Sequence, residues 1–255
     1  LLFLAMTLCW RDARRGRWDR AGLWLGACLS VKPFLLVFLP YLLLRRQLRA
    51  LGITLATAAA VYAVGLLVFG SDAYAAWYRT LGQAGDWAWL PMNASALGFL
   101  ERTFGTTPYF ASLAFVPQIG RVWFVVAALI GLVTLAAAIA DTPPSSIDRA
   151  FAVLLLGAQL VSPLGWVYYL WLPAGPIAAL ASRPATPDAR TRHSARILVA
   201  VAVTGFLWPL AGLVMLQPHP WATLTIGSAY FWATTATWYW VVIARSGQLQ
   251  TVRST

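Results

Sequence analysis

The sequence is poor in every residue type that keeps a soluble protein in water. Asp, Glu, Lys and Arg together make up 11% of its 255 residues, less than half the share typical of a soluble domain. Lysine occurs once, at Lys32, and histidine twice, at His193 and His219. Cysteine also occurs twice, at Cys9 and Cys28. Both cysteines fall in apolar runs, so no disulfide framework is implied. Metal-binding, triad and nucleotide-loop chemistry find no support, because the sequence has no cluster of ligand residues, no G-x-S-x-G and no Gly-rich phosphate loop.

What fills the chain instead is apolar. Hydrophobic residues reach 60%, with 14 Trp among them. Apolar runs of about 20 residues recur, the length needed to cross a bilayer, so the class is an all-α polytopic membrane protein. The net charge of +11 invites nucleic acid as a partner. The arginines, however, sit in short clusters between apolar runs, as cytoplasmic loops do. Nucleic acid is therefore not an expected partner; membrane lipids are, with a multi-pass placement in the plasma membrane.

Charge also orders the topology. Arg11–Arg20 holds five Arg against two Asp, and Arg45–Arg49 holds three Arg and no acid. Loops 11–20, 45–50, 141–149 and 183–196 are predicted to be cytoplasmic. The stretch 70–120 sets Arg79 and Arg102 against Asp72, Asp86 and Glu101, so it is predicted to lie outside. Its many aromatic residues predict short interfacial helices there. Spans are expected over 51–69, 121–140, 197–216 and 221–243, and residues 1–255 read as a single transmembrane domain. The opening run, Leu1–Trp10, rises only ~15 Å, half a hydrocarbon core. The chain is thus expected to begin inside a helix, as the C-terminal part of a longer protein.

Two apolar stretches fit a single crossing poorly. Ala21–Leu44 lies between two basic clusters, and a single crossing would put one of them outside. A re-entrant pair of half-helices, turning at Lys32-Pro33, keeps both inside. Ala150–Ser182 is similarly flanked and is interrupted by Ser162-Pro163-Leu164-Gly165. A charge at mid-membrane costs about 2.5–3.5 kcal/mol on insertion scales, so Lys32 needs a reason to be there. Pro is favoured at the first position of a helix. Pro33 would open a half-helix whose free N–H groups, with the Lys32 ammonium, make an anion site suited to phosphate. The competing reading is a kinked span whose lysine snorkels to the headgroups.

Ser162-Pro163 repeats the device, Ser as N-cap and Pro at N1. Next to it, Trp166, Tyr168 and Tyr169 offer rings and hydroxyls suited to a sugar, or else an interfacial aromatic belt. Asn93 and Ser95 are expected to cap a helix starting near Ala96. Glu101-Arg102 reads as a surface pair. Asp72 and Asp86 read as solvated loop carboxylates, with a general-base role as the lesser alternative.

The order of these pieces is that of a known family. A basic loop is followed by Gly26, Lys32-Pro33 and Pro40 through Arg46. Pro91, Asn93 and Ser95 come next, and then Ser162-Pro163, Trp166 and Tyr168-Tyr169. This resembles the polytopic glycosyltransferase family 87, of the GT-C fold class, with broken or re-entrant helices. The resemblance implies transfer of a mannose-like hexose or a pentose from a polyprenyl-phosphate donor to a cell-envelope glycan or glycolipid acceptor on the outer face. It implies no cofactor and no nucleotide sugar. It also implies a carboxylate base in a first outer loop, which would precede Leu1. Lys32 would hold the phosphate, while Asn93, Ser95, Ser162, Trp166, Tyr168 and Tyr169 would shape the sugar or acceptor site. Two alternatives remain beside it: a transporter for a lipid-linked sugar, since transporters also use broken helices, and an inactive truncated remnant.

Overall fold

The computed structural model describes residues 1–140, 146–182, 214–216 and 218–243. The expected loop over 183–196, with His193, lies outside the described residues. So do most of the expected span over 197–216 and part of the loop over 141–149. Among the described residues the chain is helical, with two isolated β-bridges and no strand. Two helices there are long and apolar enough to cross a membrane, over Leu48–Thr80 and Ile119–Ile139.

One end of the molecule collects the two basic clusters, Arg11–Arg20 and Arg45–Arg49. Helix α1 (Leu2–Arg14) runs into it and α2 (Trp18–Val31) runs out of it. Beyond Lys32, a 3-10 turn (Pro33–Val37) leads into α3 (Phe38–Leu44), which comes back. Ala21 and Leu25 of α2 face Phe38, Tyr41 and Leu42 of α3 across one small internal space. The return is closed by an ion pair, Arg49 to Asp19 at 3.1 Å. The two basic clusters therefore share one end, and Lys32 marks the far tip. A helix of 14 residues rises ~21 Å, about two-thirds of a hydrocarbon core.

Helix α4 (Leu48–Gly82) is two helices joined at Gly70, whose φ of 78° and ψ of 170° no ordinary residue adopts without strain. Past that bend the chain folds back, and the Tyr74 hydroxyl donates to the Tyr62 carbonyl at 3.2 Å. The chain continues through a short 3-10 turn (Ala84–Trp87) to α5 (Ala96–Phe104). Helix α6 (Ile119–Ile139) then runs back toward the basic end.

Helix α7 (Ser146–Val161) is the hub. Phe151 through Leu156 are all buried, which is why this run reads as apolar on every side. Its first turn ties the basic end together. Asp148 accepts from Trp10 Nε1 at 3.0 Å and pairs with Arg14 at 3.1 Å. Arg149 donates to the carbonyls of Ala137, Val241 and Val242 at 3.0, 3.0 and 2.7 Å. Those carbonyls close the C-terminal turns of α6 and of the helix over Ala229–Ile243, where helices leave acceptors unfilled. After the break at 162–166, a 3-10 turn (Val167–Trp171) and α8 (Ala174–Ala181) return alongside α7.

Trp221–Ile243 departs from the single span expected. A short α9 (Pro220–Leu224) and a 3-10 turn (Ile226–Ser228) precede α10 (Ala229–Ile243). The chain changes direction at Thr225, with φ −94° and ψ −86°.

Helix α2 packs on α4 through a G-x-x-x-G stripe, the device membrane helices use to bring backbones close. A Cβ on Gly22 would sit 2.7 Å from the Ala50 carbonyl oxygen, and one on Gly26 would sit 2.5 Å from that of Thr54. Gly26→Leu must push the two helices apart. The expected cost is about 1–3 kcal/mol, read as a lower thermal midpoint of the full-length protein in detergent. An unchanged midpoint would contradict this close packing.

Candidate functional site

Three segments meet at the far end of α7. The first is the break after Val161. Pro163 has no N–H and disfavours a helical Ser162, so α7 stops. Ser162 does not cap a new helix, as the sequence led us to expect. Its Oγ accepts from the Leu164 N–H at 3.2 Å, and the next helical turn opens only at Val167. Between them the chain is extended and pairs with the segment that leads into α5. The Ala94 N–H donates to the Gly165 carbonyl at 2.7 Å, and the Val167 N–H donates to that of Met92 at 2.9 Å.

The second is that segment before α5, and Asn93 is its pin. Its Nδ2 donates to the carbonyls of Ala88 and Pro163, both at 2.9 Å. Its Oδ1 accepts from the N–H groups of Ser95 at 3.1 Å and Gly165 at 2.8 Å. An amide has two donors and two acceptor sites, so the protein itself fills all four. Ser95 is equally committed: its Oγ caps α5 by accepting from the Gly98 N–H at 3.1 Å and reaches the Pro163 carbonyl at 3.3 Å. Both residues are fully buried. Of the two capping residues expected, Ser95 caps α5 and Asn93 joins two distant segments.

The third is the Lys32 tip. Its Nζ lies 5.3 Å from the centre of the Tyr169 ring, a cation–π distance. Phe34 packs on the same ring at 4.9 Å and Tyr168 at 4.7 Å. The Trp166 and Tyr168 rings are nearly parallel, 15° apart. Tyr169 is buried, whereas Tyr168 is 52% exposed. No carboxylate pairs with Lys32 among the described residues. Lys32, Trp166, Tyr168 and Tyr169 thus form one cluster, and Asn93, Ser95 and Ser162 fix the backbone beneath it. Such a cluster presents an unpaired ammonium and an exposed ring beside it, which suits an anion joined to a ring with an apolar face.

Asp72 and Asp86 stand apart. Asp72 lies just past the Gly70 bend and Asp86 in the 3-10 turn before α5; both are exposed. No described contact ties either to the Lys32 cluster. Among the described residues no group of His, Cys, Asp or Glu is arranged to hold a metal ion.

Two contributors escaped the sequence reading. Gln159 Nε2 donates to the Trp166 carbonyl at 3.2 Å, tying the break back to α7. Its signal was there: it is the one polar side chain within the apolar run 150–161. Arg102 is no surface residue but is fully buried. Its NH1 donates to the carbonyls of Leu90 and Asn93 at 2.8 and 3.1 Å. Burial pushes its pKa down to about 9, which leaves it charged at neutral pH.

The profile of glycosyltransferase family 87 matches residues 1–163, a stretch holding the Lys32 tip, the Asn93 pin and Ser162-Pro163. The chain belongs to glycosyltransferase family 87. Two curated relatives are similar to it. One is a polyprenol-phosphate-mannose-dependent alpha-(1-2)-phosphatidylinositol pentamannoside mannosyltransferase from Mycobacterium tuberculosis, 28% identical over 247 residues, covering 88% of this chain and 51% of the relative. The other is a polyprenol-phosphate-mannose-dependent alpha-(1-2)-phosphatidylinositol mannoside mannosyltransferase from Mycolicibacterium smegmatis, 28% identical over 262 residues, covering 98% of this chain and 56% of the relative. The family 87 chain therefore spans about half the length of the curated relatives it matches. No solved structure matches it significantly.

Proposed function

We propose that this chain carries the donor-binding part of a multi-pass, GT-C-type membrane glycosyltransferase. The enzyme transfers a mannose-like hexose or a pentose from a polyprenyl-phosphate carrier to a glycolipid or cell-envelope glycan on the outer face of the plasma membrane. One observation carries the reading: both helix breaks and the segment around Asn93 converge on Lys32, a cation set among aromatic rings with no carboxylate partner among the described residues. The names of the two relatives supply the donor class.

In this reading the Lys32 ammonium binds the lipid-linked phosphate. As the glycosidic C–O bond breaks, negative charge grows on the departing phosphate oxygen, and a fixed cation lowers the barrier by favouring that charge. Trp166, Tyr168 and Tyr169 receive the sugar against their rings. Asn93, Ser95 and Ser162 hold the break so that these rings keep their place, and make no direct sugar contact. Asp72 and Asp86 have no role in it. The donor is a substrate and no cofactor is invoked.

The test is turnover of polyprenyl-phosphate-mannose by the full-length protein in membranes. Lys32→Ala is expected to lower it by about 10²–10³, the loss typical of one transition-state charge partner. Lys32→Arg, which keeps the charge, is expected to retain a measurable part. Unchanged turnover by Lys32→Ala would overturn the phosphate role.

A further inference from the structure

The two basic clusters meet as a pair of matching elbows. Arg15-Gly16-Arg17 joins α1 to α2, and Arg45-Arg46-Gln47 joins α3 to α4. Each elbow closes the helix before it in the same way. The Gly16 N–H donates to the Ala13 carbonyl at 3.0 Å, and the Arg17 N–H to that of Asp12 at 2.9 Å. The Arg46 N–H donates to the Leu43 carbonyl and the Gln47 N–H to that of Leu42, both at 2.9 Å. Such a closure needs one left-handed residue, usually glycine. Gly16 serves with φ 71°, but the second elbow puts Arg46 there at φ 56°. Among the described residues Arg46 is the one non-glycine with a positive φ. An arginine kept in a strained, glycine-preferring position points to a use for its side chain.

Positive charge is in surplus at the elbows. The acids described at this end already have arginines: Asp12 has Arg11 at 3.4 Å, Asp148 has Arg14 at 3.1 Å, and Asp19 has Arg49 at 3.1 Å. The last pair ties one elbow to the other. Arg15, Arg17, Arg20 and Arg46 are exposed, and none of them pairs with an acid among the described residues. Beside the second elbow, Leu43, Leu44 and Leu48 are each more than half exposed. A soluble polyanion would meet those leucines together with the arginines and gain nothing from them. A bilayer leaflet offers phosphates to the arginines and acyl chains to the leucines.

We infer that the two elbows together bind the headgroups of anionic phospholipids in the leaflet at the basic end. Arg15, Arg17, Arg20 and Arg46 hold the phosphodiester groups, while Leu43, Leu44 and Leu48 enter the acyl layer beside them. A headgroup such as that of phosphatidylglycerol fits, because it carries no cation of its own to balance its phosphate. Phosphatidylcholine does carry one, and its ammonium would meet the arginines as a like charge. The elbows are also the two feet of the hairpin whose tip is Lys32. Seating them among headgroups therefore fixes the depth of Lys32 in the bilayer.

The experiment places the full-length protein in nanodiscs of phosphatidylglycerol and phosphatidylcholine in equal parts, and native mass spectrometry counts the lipids each molecule retains. One arginine near an anionic surface favours it by roughly fivefold, so wild type is expected to retain phosphatidylglycerol about tenfold or more over phosphatidylcholine. The triple variant Arg15→Gln/Arg17→Gln/Arg46→Gln is expected to lose most of that enrichment. Enrichment kept by the triple variant overturns the elbows as the site. Arg46→Gln and Arg121→Gln remove equal charge, the second from the opposite end of α6, and only the first is expected to lower the enrichment. An equal loss in both would make net charge the cause and overturn the site. Arg46→Gly removes charge and strain together. It is expected to unfold no earlier than wild type in phosphatidylcholine alone, yet to retain less phosphatidylglycerol. Displacement of phosphatidylglycerol by soluble polyglutamate would give the elbows an acidic soluble partner and overturn the lipid assignment.

Discussion

Asn93→Ala is expected to lower the stability of the full-length protein by about 3–5 kcal/mol and to take turnover with it. The size follows from what the truncation strands. Three groups of buried residues, the Ala88 carbonyl and the N–H groups of Ser95 and Gly165, lose their partner together, and the Pro163 carbonyl keeps only the longer bond from Ser95 Oγ at 3.3 Å. Each stranded group costs about 1–3 kcal/mol, reduced by relaxation and stray water. Thermal unfolding in detergent checks this. A direct sugar contact would give another result, a raised KM with the unfolding midpoint unmoved. Asn93→Asp sharpens the distinction. It keeps both bonds that Oδ1 accepts but sets a carboxylate oxygen against two carbonyl oxygens. It is expected to be no better than alanine, although aspartate is close to asparagine in size.

Arg102→Met is expected to cost about 2–4 kcal/mol. Two effects oppose each other here. Removing a buried cation that has no acid partner among the described residues relieves a desolvation penalty of several kcal/mol. Against that, bonds from a charged donor to carbonyls contribute about 1.5–3 kcal/mol each. Arg102 makes two good ones, to Leu90 and Asn93, a long one to Trp89 at 3.5 Å and another to Ser228 at 3.4 Å. The Leu90 carbonyl keeps a second donor, the Asn93 N–H at 2.9 Å, but the Asn93 carbonyl loses its guanidinium and the segment holding the pin is freed. The lost bonds therefore outweigh the relief. Arg102→Lys is expected to behave like methionine, because one ammonium cannot span the fork from Leu90 to Ser228. Full stability in Arg102→Lys would show that charge alone suffices.

Local signals in the sequence located much of this architecture. The expected spans over 51–69 and 121–140 lie within three residues of the straight part of α4 and of α6. Pro33 opens a helical turn and Ser95 caps one, because both preferences act on the nearest backbone. The antiparallel return at Lys32 was legible from charge, since the arginines on both flanks favour one end. Ser162-Pro163 misled because proline ends a helix as readily as it begins one, and nothing local tells the two apart. Arg102 misled for a similar reason. Its neighbour Glu101 implied a surface pair, yet Arg102 is seven residues from the cap Ser95, on the same buried face of α5. The partnership of Asn93 with Pro163 and Gly165 has no local signature. A proton shared across that separation leaves only two short motifs, each of which looks complete alone. Trp221–Ile243 hid its break because Thr225 and Gly227 are weak interrupters in an apolar run.

The pin at Asn93 also sets a schedule for making the protein. Asn93 and Pro163 are 70 residues apart, and ribosomes add about 5–20 residues per second. For some ~4–14 s after Asn93 is made, the Pro163 and Gly165 partners of its amide do not yet exist. Water must fill those two places through that interval, so the segment waits at the aqueous surface while α6 and α7 are threaded, and the site closes only after α7 is made.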